Sequence, residues 1–404
     1  MIDTNGRDPF ARFKYSEIGK KVDGTFGTVL GGRVQEIKDF KWLDKKQGYE
    51  VPLYPQRTVV QFNSTYMELT GRQDRIRGDI TAWALFFLVI ASYIFYTIIQ
   101  TFAITIDKEP PIFFSVFLMC CGFLMLLLLL MLIALLSTEL FTYTYLPIRF
   151  NRKTRKVYVR QANRRVEVFD WDELRFYMAT TYKDGGDVRG ITLADDGMTI
   201  TGMFSLPFVS DLTAKEILGG TQLKQHFEFV RRYMESDDKQ IVEIKNSIRY
   251  IHPVYKKRET PLVSFKRATL AALDSDENME YPKEALRLHW THLAVVIQLW
   301  LRYLGRLLSI NTSITPKFSP EIEAECQIDP NDPHDLNKYL PEGNIEDANQ
   351  PIWKKLVYSI LLVLFGIVML LVFAFFVDII GSIRGHYPDV VGKLWYLFSL
   401  QWFS

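Results

Sequence analysis

With 404 residues and 48 lysines and arginines against 46 aspartates and glutamates, the chain has a formal charge of only +2. That excludes nucleic acid as the main partner, because phosphate binding needs a sustained basic surface. Three cysteines, two of them adjacent at Cys120 and Cys121 and the third at Cys326, exclude a disulfide framework and a zinc finger.

The N-terminus, Met-Ile-Asp-Thr-Asn-Gly-Arg-Asp, has no charged stretch followed at once by an apolar core, so no cleaved signal peptide is expected. Residues 1–79 are polar, with Gly24, Gly27, Gly31 and Gly32 spacing short β-like pieces such as Gly32–Lys38 and Arg57–Phe62. They predict a small, partly β cytoplasmic segment.

Three runs without a charged residue follow: Ile80–Ile106, Pro110–Thr138 and Leu356–Val377. Each exceeds the roughly 20 apolar residues that a helix needs to cross a hydrocarbon core, and lipid leaves the backbone no economical alternative to a helix. The expectation is a transmembrane hairpin over 80–138 (80–106 and 110–138) and a third transmembrane helix over 352–380, with a tail at 381–404. Arg72, Arg75 and Arg77 precede the first run, and Arg149, Arg152, Lys153, Arg155, Lys156, Arg160, Arg164 and Arg165 follow the second. By the positive-inside rule both flanks are cytoplasmic and the Asp107–Pro111 turn is outside. Lys354 and Lys355 start the third helix inside, while Arg384 and Lys393 work against an outside tail.

From Tyr143 to about Pro207, runs rich in Val, Ile, Thr, Tyr and Phe recur between turn signals: Thr144–Phe150, Lys156–Arg160, Val166–Trp171, Arg175–Tyr182, Arg189–Ala194 and Met198–Phe204. Asn151-Arg-Lys-Thr, Lys183-Asp-Gly-Gly-Asp and Ala194-Asp-Asp-Gly supply the breaks. An antiparallel meander follows, with an amphipathic helix after it, in which Leu223, Phe227, Val230 and Met234 share one face. The fold class is therefore α+β: a membrane protein with a helical hairpin, a C-terminal membrane helix and a cytoplasmic domain over 143–237.

Residues 238–350 are less regular. Leu288–Ile310 is apolar but carries Arg302 and Arg306 one turn apart, beside Trp290 and Trp300. An arginine at mid-bilayer costs at least about 2.5 kcal/mol, which favours an interfacial or protein-packed helix over a fourth span. A spanning helix here would invert the topology of everything after it. Pro316, Pro320, Pro330 and Pro333 predict an extended, unpacked segment over Ile314–Pro333.

The chain has no Gly-x-Ser-x-Gly elbow, no phosphate-binding glycine loop and no His-Glu-x-x-His, so catalysis is not expected, and no cofactor is implied. His289 and His292 lack a third ligand, and Cys326, Asp329, Asp332, His334 and Asp335 lack the glycine and oxygen spacing of a calcium loop; no metal site is expected. Asp378 stands at the end of the third run and no lysine or arginine lies inside any of the three, which argues against a transporter. The basic run from Arg149 to Arg165, directly below the membrane, predicts a surface facing anionic phospholipid headgroups, or topology determinants alone.

The strand order, with Phe150-Asn-Arg-Lys-Thr-Arg-Lys-Val-Tyr and Val-Phe-Asp-Trp-Asp-Glu-Leu, resembles the bacterial pleckstrin-homology-like (PH-like) membrane proteins, which implies a barrel closed by the amphipathic helix. Over most of its length, the chain also resembles a family of proteobacterial membrane proteins encoded near type VI secretion effectors. The residues that carry this are Phe62-Asn-Ser-Thr-Tyr-Met-Glu, Arg155-Lys-Val-Tyr with Asp170-Trp-Asp, Trp300-Leu-Arg-Tyr-Leu-Gly-Arg and Glu323-Ala-Glu-Cys-Gln-Ile-Asp-Pro-Asn-Asp-Pro. This implies an inner-membrane immunity or accessory protein whose partner is a cognate toxin or a secretion-system protein. A membrane scaffold that binds phospholipid or a protein, and a membrane-perturbing effector component, are the alternatives.

Overall fold

The computed structural model describes residues 18–19, 27–30, 33–36, 41–55, 58–71, 74, 77–106, 111–161, 165–180, 186–210, 221–248, 251–252, 264 and 292–339, with 368, 371, 375 and 378. The chain divides into two compact units, one comprising 1–259 and 305–348, the other 260–304 and 349–404.

The first unit begins with a hairpin of β1 (Gly27–Leu30) and β2 (Arg33–Glu36). Next come β3 (Lys41–Leu43), β4 (Val59–Phe62) and β5 (Tyr66–Leu69). The chain then leaves as α1 (Asp79–Ile106) and returns as α2 (Ile112–Leu136) before forming β6 (Ile148–Asn151), β7 (Lys156–Arg160) and β8 (Val166–Asp170). A second sheet uses β9 (Arg175–Thr180), β10 (Gly186–Leu193) and β11 (Ile200–Ser210). Both sheets are antiparallel, in the orders β4-β5-β6-β7-β8 and β11-β10-β9-β3.

The boundary expected between residues 79 and 143 does not divide two domains. β5 pairs directly with β6, Tyr66 opposite Asn151 and Leu69 opposite Ile148, and β3 pairs with β9. Strands on the N-terminal side of the helical hairpin thus complete both sheets of the domain on its C-terminal side. The strand expected from Thr144 starts only at Ile148; Tyr143 instead bridges Ile314.

One core joins both sheets. Met67, Phe150 and Val157 from the first meet Phe176, Val188 and Phe204 from the second, around Trp171. Into it packs α3 (Thr221–Glu235), whose Leu223, Phe227, Val230 and Met234 are buried there, as the periodicity predicts. Burying a phenylalanine such as Phe227 contributes about 1.5–3 kcal/mol. The polar side of α3 holds Glu228 between Arg231 (2.6 Å) and Arg232 (2.8 Å). α4 (Asp238–Ser247), not foreseen from the sequence, adds Ile241 and Ile244 to the same core.

α1 and α2 are long and apolar enough to cross a membrane. Between them they bury small or aliphatic residues, among them Ala84, Ala91, Leu118 and Leu132. Their outer surfaces expose Phe87, Tyr93, Phe113 and Phe123, an apolar area too large for a water-facing helix pair.

α5 (His292–Asn311) realises the helix expected over 288–310 and passes from the second unit into the first. In the second unit, Trp300 and Arg302 are half-buried; Trp290 and His289 lie outside the described residues. So does the third span at 352–380, apart from Val368, Leu371, Phe375 and Asp378, each of which is helical.

The segment over Ile314–Pro333, expected to be unpacked, is a strap against the five-stranded sheet. It contains α6 (Pro320–Glu325), started by Pro320 in the first turn, and is followed by α7 (Leu336–Tyr339). Proline removes backbone donors but does not prevent side-chain packing. Phe318 and Cys326 of the strap are buried with Tyr66 and Tyr158 of the sheet.

Candidate functional site

Alternation along β5, β6 and β7 sends Met67, Leu69, Ile148, Phe150, Val157 and Val159 into the core. Tyr66, Glu68, Arg149, Asn151, Tyr158 and Arg160 therefore share the opposite face, with Arg149 at its centre between Glu68 and Tyr158. Arg149 is 2% exposed. Its Nε donates to Glu68 (2.8 Å) and its Nη1 to Glu323 of the strap (3.0 Å). The guanidinium lies 4.4 Å from the Tyr66 ring centroid and 4.3 Å from that of Phe318, a stack between one ring of the sheet and one of the strap. Burial works against the charge, but Glu68, Tyr66 and Glu323 together raise the Arg149 pKa above the ordinary arginine value. Glu68 is fixed in turn by the Tyr145 hydroxyl at 2.6 Å, and burial together with this carboxylate pushes that phenol well up.

Further along the strap, Glu325 accepts from Lys156 (2.9 Å) and from the Tyr158 hydroxyl, which together lower its pKa. Asn151 donates to the Glu325 carbonyl at 2.8 Å. Arg160 donates to the Lys317 carbonyl and stacks between Tyr143 and Phe318. Both ends of the strap are pinned. At one end Thr144 donates its N–H to Ile314 and Ile314 donates to Thr142, each at 2.9 Å. At the other, Asp332 accepts from the Ser64 N–H (2.7 Å) and hydroxyl (2.8 Å), and the Asn337 amide accepts from Phe62 N–H (3.3 Å) and donates to Val60 (3.0 Å). Asn337 thereby covers the β4 edge with its side chain.

Placed in three dimensions, the basic cluster is not one lipid-facing surface. Arg149 and Arg160 are buried beneath the strap, and Lys156 pairs with it. Arg155, at φ 55° in the β6–β7 turn, pairs with Asp172 (2.6 Å) and Glu235 (2.9 Å), and Arg152 donates to the Ser236 carbonyl. Lys153 and Arg165 are exposed, and Arg164 lies outside the described residues. The sequence displays the basic run plainly, but its acidic counterparts Glu323 and Glu325 lie far along the chain and only the fold brings them together.

Of the residues weighed as metal ligands, Cys326 accepts a hydrogen bond from Asn151 (3.4 Å), and Asp332 holds Ser64 and the His334 N–H. Among the described residues, no three such ligands are grouped to hold an ion.

A second polar cluster sits at the base of the helical hairpin. Glu139, just past α2, is buried and accepts from the Thr81 N–H (2.9 Å) and hydroxyl (2.6 Å) and from the Gly78 N–H (3.2 Å). A carboxylate there meets the otherwise unsatisfied donors and the positive dipole end of α1. Arg77 donates to the carbonyls of Glu139 (3.1 Å), Thr144 (2.8 Å) and Ser309 (3.3 Å), joining both membrane-side helices to α5. Arg306 of α5 is buried, donates to the Asp74 carbonyl (2.8 Å) and approaches its carboxylate at 3.6 Å. Gly78, at φ +94°, faces Gly305 so closely that a Cβ on either would overlap the other's backbone or its neighbour's. Arg306 is thus packed in protein, one of the two placements open to it from the sequence. Glu139, Asp74 and the glycine pair gave no sequence signal beyond their residue types.

No curated protein and no solved structure matches this chain. A family model described as "family of unknown function (DUF6708)" matches residues 125–330, which covers half of the chain, from within α2 through the β domain to the strap. The chain belongs to that family, DUF6708.

Proposed function

We propose that this is a membrane-anchored binding protein, without catalysis, that acts at the bacterial inner membrane as an immunity or accessory protein for a type VI secretion toxin. One observation carries the binding reading: the apolar hairpin is inserted between paired neighbours β5 and β6, and its base is closed by Glu139, Arg77 and Arg306, so the β domain is held close to the hairpin. Arg72, Arg75 and Arg77 before α1 and the basic residues after α2 support a cytoplasmic N-terminus and β domain. The packing of α3 into the core shared by both sheets supports a PH-like closure. The toxin connection rests on the resemblance of the segments around Phe62, Arg155, Trp300 and Glu323.

Co-expression with each genomic neighbour in a naive host, scoring growth and membrane potential, tests this reading. Rescue from a toxic neighbour supports immunity; toxicity of this chain alone would instead identify an effector component. If no neighbour is toxic or none is rescued, the scaffold reading takes its place. In that reading a protein partner is favoured over phospholipid, because Arg149, Arg155, Lys156 and Arg160 are already engaged within the chain.

A further inference from the structure

We infer that the outer face of β5, β6 and β7 is a recognition surface for an acidic, aromatic-led segment of a partner protein, and that the strap occupies it in cis until displaced. The inference rests on the binding-protein reading and names the surface and the partner chemistry.

The contact has the makeup of an exchangeable interface. Its apolar part, Phe318 and Cys326 against Tyr66 and Tyr158, is separate from the main core. The rest is charge-assisted hydrogen bonding from carboxylates that remain partly in water: Glu323 is 45% and Glu325 38% exposed. Interfaces that form and dissolve are more polar than domain cores.

The surface can also survive without its strap. Removing one partner of a buried ion pair is usually prohibitive because a charge is stranded. Arg149 keeps Glu68 at 2.7 Å, and Glu68 keeps Tyr145, when Glu323 departs. The ends of the strap are pinned near Ile314 and Asp332, so the middle can lift as a loop and rebind. A tethered occupant competes at high effective concentration. An invader must therefore also be locally concentrated, as a protein in the same membrane would be. The strap gives the pattern that fits: an aromatic ring for Arg149 (Phe318), followed by carboxylates for Arg149 (Glu323) and for Lys156 and Tyr158 (Glu325).

Cys326 reports the event, being carried by the strap and buried against the sheet, with Cys120 and Cys121 as the other thiols of the chain. In full-length protein in nanodiscs, with Cys120→Ser and Cys121→Ser, maleimide labelling of Cys326 is measured with and without a synthetic peptide of residues 316–328 carrying serine for its cysteine. The peptide should accelerate labelling, and Glu323→Gln with Glu325→Gln should accelerate it about tenfold, the effect of weakening two partly exposed charge pairs. Labelling unchanged by both peptide and substitutions overturns the inference. Should the double variant misfold, hydrogen exchange on the unsubstituted chain decides: strap amides over 317–328 exchanging faster than those of β5 to β7 support displacement, and equal protection overturns it. Membrane sedimentation of the same samples keeps the two readings apart, since loss of sedimentation with an intact peptide response removes only the anchoring.

Discussion

The Glu139 carboxylate caps the start of α1 through Thr81, taking both its N–H (2.9 Å) and its hydroxyl (2.6 Å) from a position just beyond the end of α2. Glu139→Ala strands these buried donors and that of Gly78, each at roughly 1–3 kcal/mol. The variant should melt at lower temperature in detergent and open the hairpin base to protease. Glu139→Gln, which retains an acceptor, should lose clearly less, and equal melting of all three proteins would remove the cap from the account.

Close approach of Gly78 and Gly305 sets the docking of α5. An added Cβ at Gly305 meets the Ala82 nitrogen at 2.7 Å and the Gly78 carbonyl more closely still. Overpacking of this kind costs typically about 1–3 kcal/mol. Gly305→Ala should therefore release the Arg306 contact with Asp74, seen as faster hydrogen exchange at 305–311 while the sheet remains protected. Unchanged exchange there would show that the crossing tolerates a methyl group.

Breaking the Arg149 pair from one side leaves a buried charge, so Arg149→Met or Glu68→Leu alone should destabilise by about 3–5 kcal/mol. The two together should cost less than their sum, because no charge is then stranded. Denaturant midpoints of the single and double variants provide the cycle, and strict additivity would mean that the two charges do not interact.

His226 is fully buried on α3, where burial pushes its pKa down to about 4 from an unfolded value of 6.5. Its Nδ1 lies 3.1 Å from the Tyr54 carbonyl. The unfolded chain therefore binds the proton first. Stability from this residue is intact above about pH 6.5, declines as pH falls towards 4 and levels off below, by about 3 kcal/mol in all. In His226→Gln, the slope of unfolding free energy against pH over that window should shrink; an unaltered slope would assign it to other groups.

The two helices were legible in the sequence because an uncharged run long enough to span a bilayer has few other readings, and β6 to β11 because strand residues alternate with turn chemistry. The partnership of β5 with β6 was not. Each strand is only four residues long, the polar side chains of its outer face are as buried as the apolar ones, and the helical hairpin separates the two in the chain, so neither pointed to the other as its partner. The strap was misread for a different reason. Its prolines correctly forecast little regular structure, but Phe318, Glu323 and Cys326 are held by side-chain contacts that backbone preferences do not reveal.

Because Leu69 and Ile148 are already register partners, the hairpin should be dispensable for the β domain itself. Replacing residues 71–146 by a two-residue Asn-Gly turn should give a water-soluble protein that keeps the Trp171 core, measurable by near-ultraviolet dichroism. An insoluble product would mean that the core depends on the helices.

The same insertion imposes an order on biosynthesis. β5 leaves the ribosome before the apolar helices and β6 after them, so the five-stranded sheet cannot close until both helices have been made. While they enter the bilayer, β4 and β5 wait with exposed edges, the condition in which strands are prone to pair with the wrong chain. Once both helices are paired, the start of α1 and the end of α2 lie side by side, and the long closure between β5 and β6 becomes short. Membrane insertion would then act as a folding step for the domain outside the membrane, and a chain that missed the bilayer would remain an incomplete sheet, open to proteolysis.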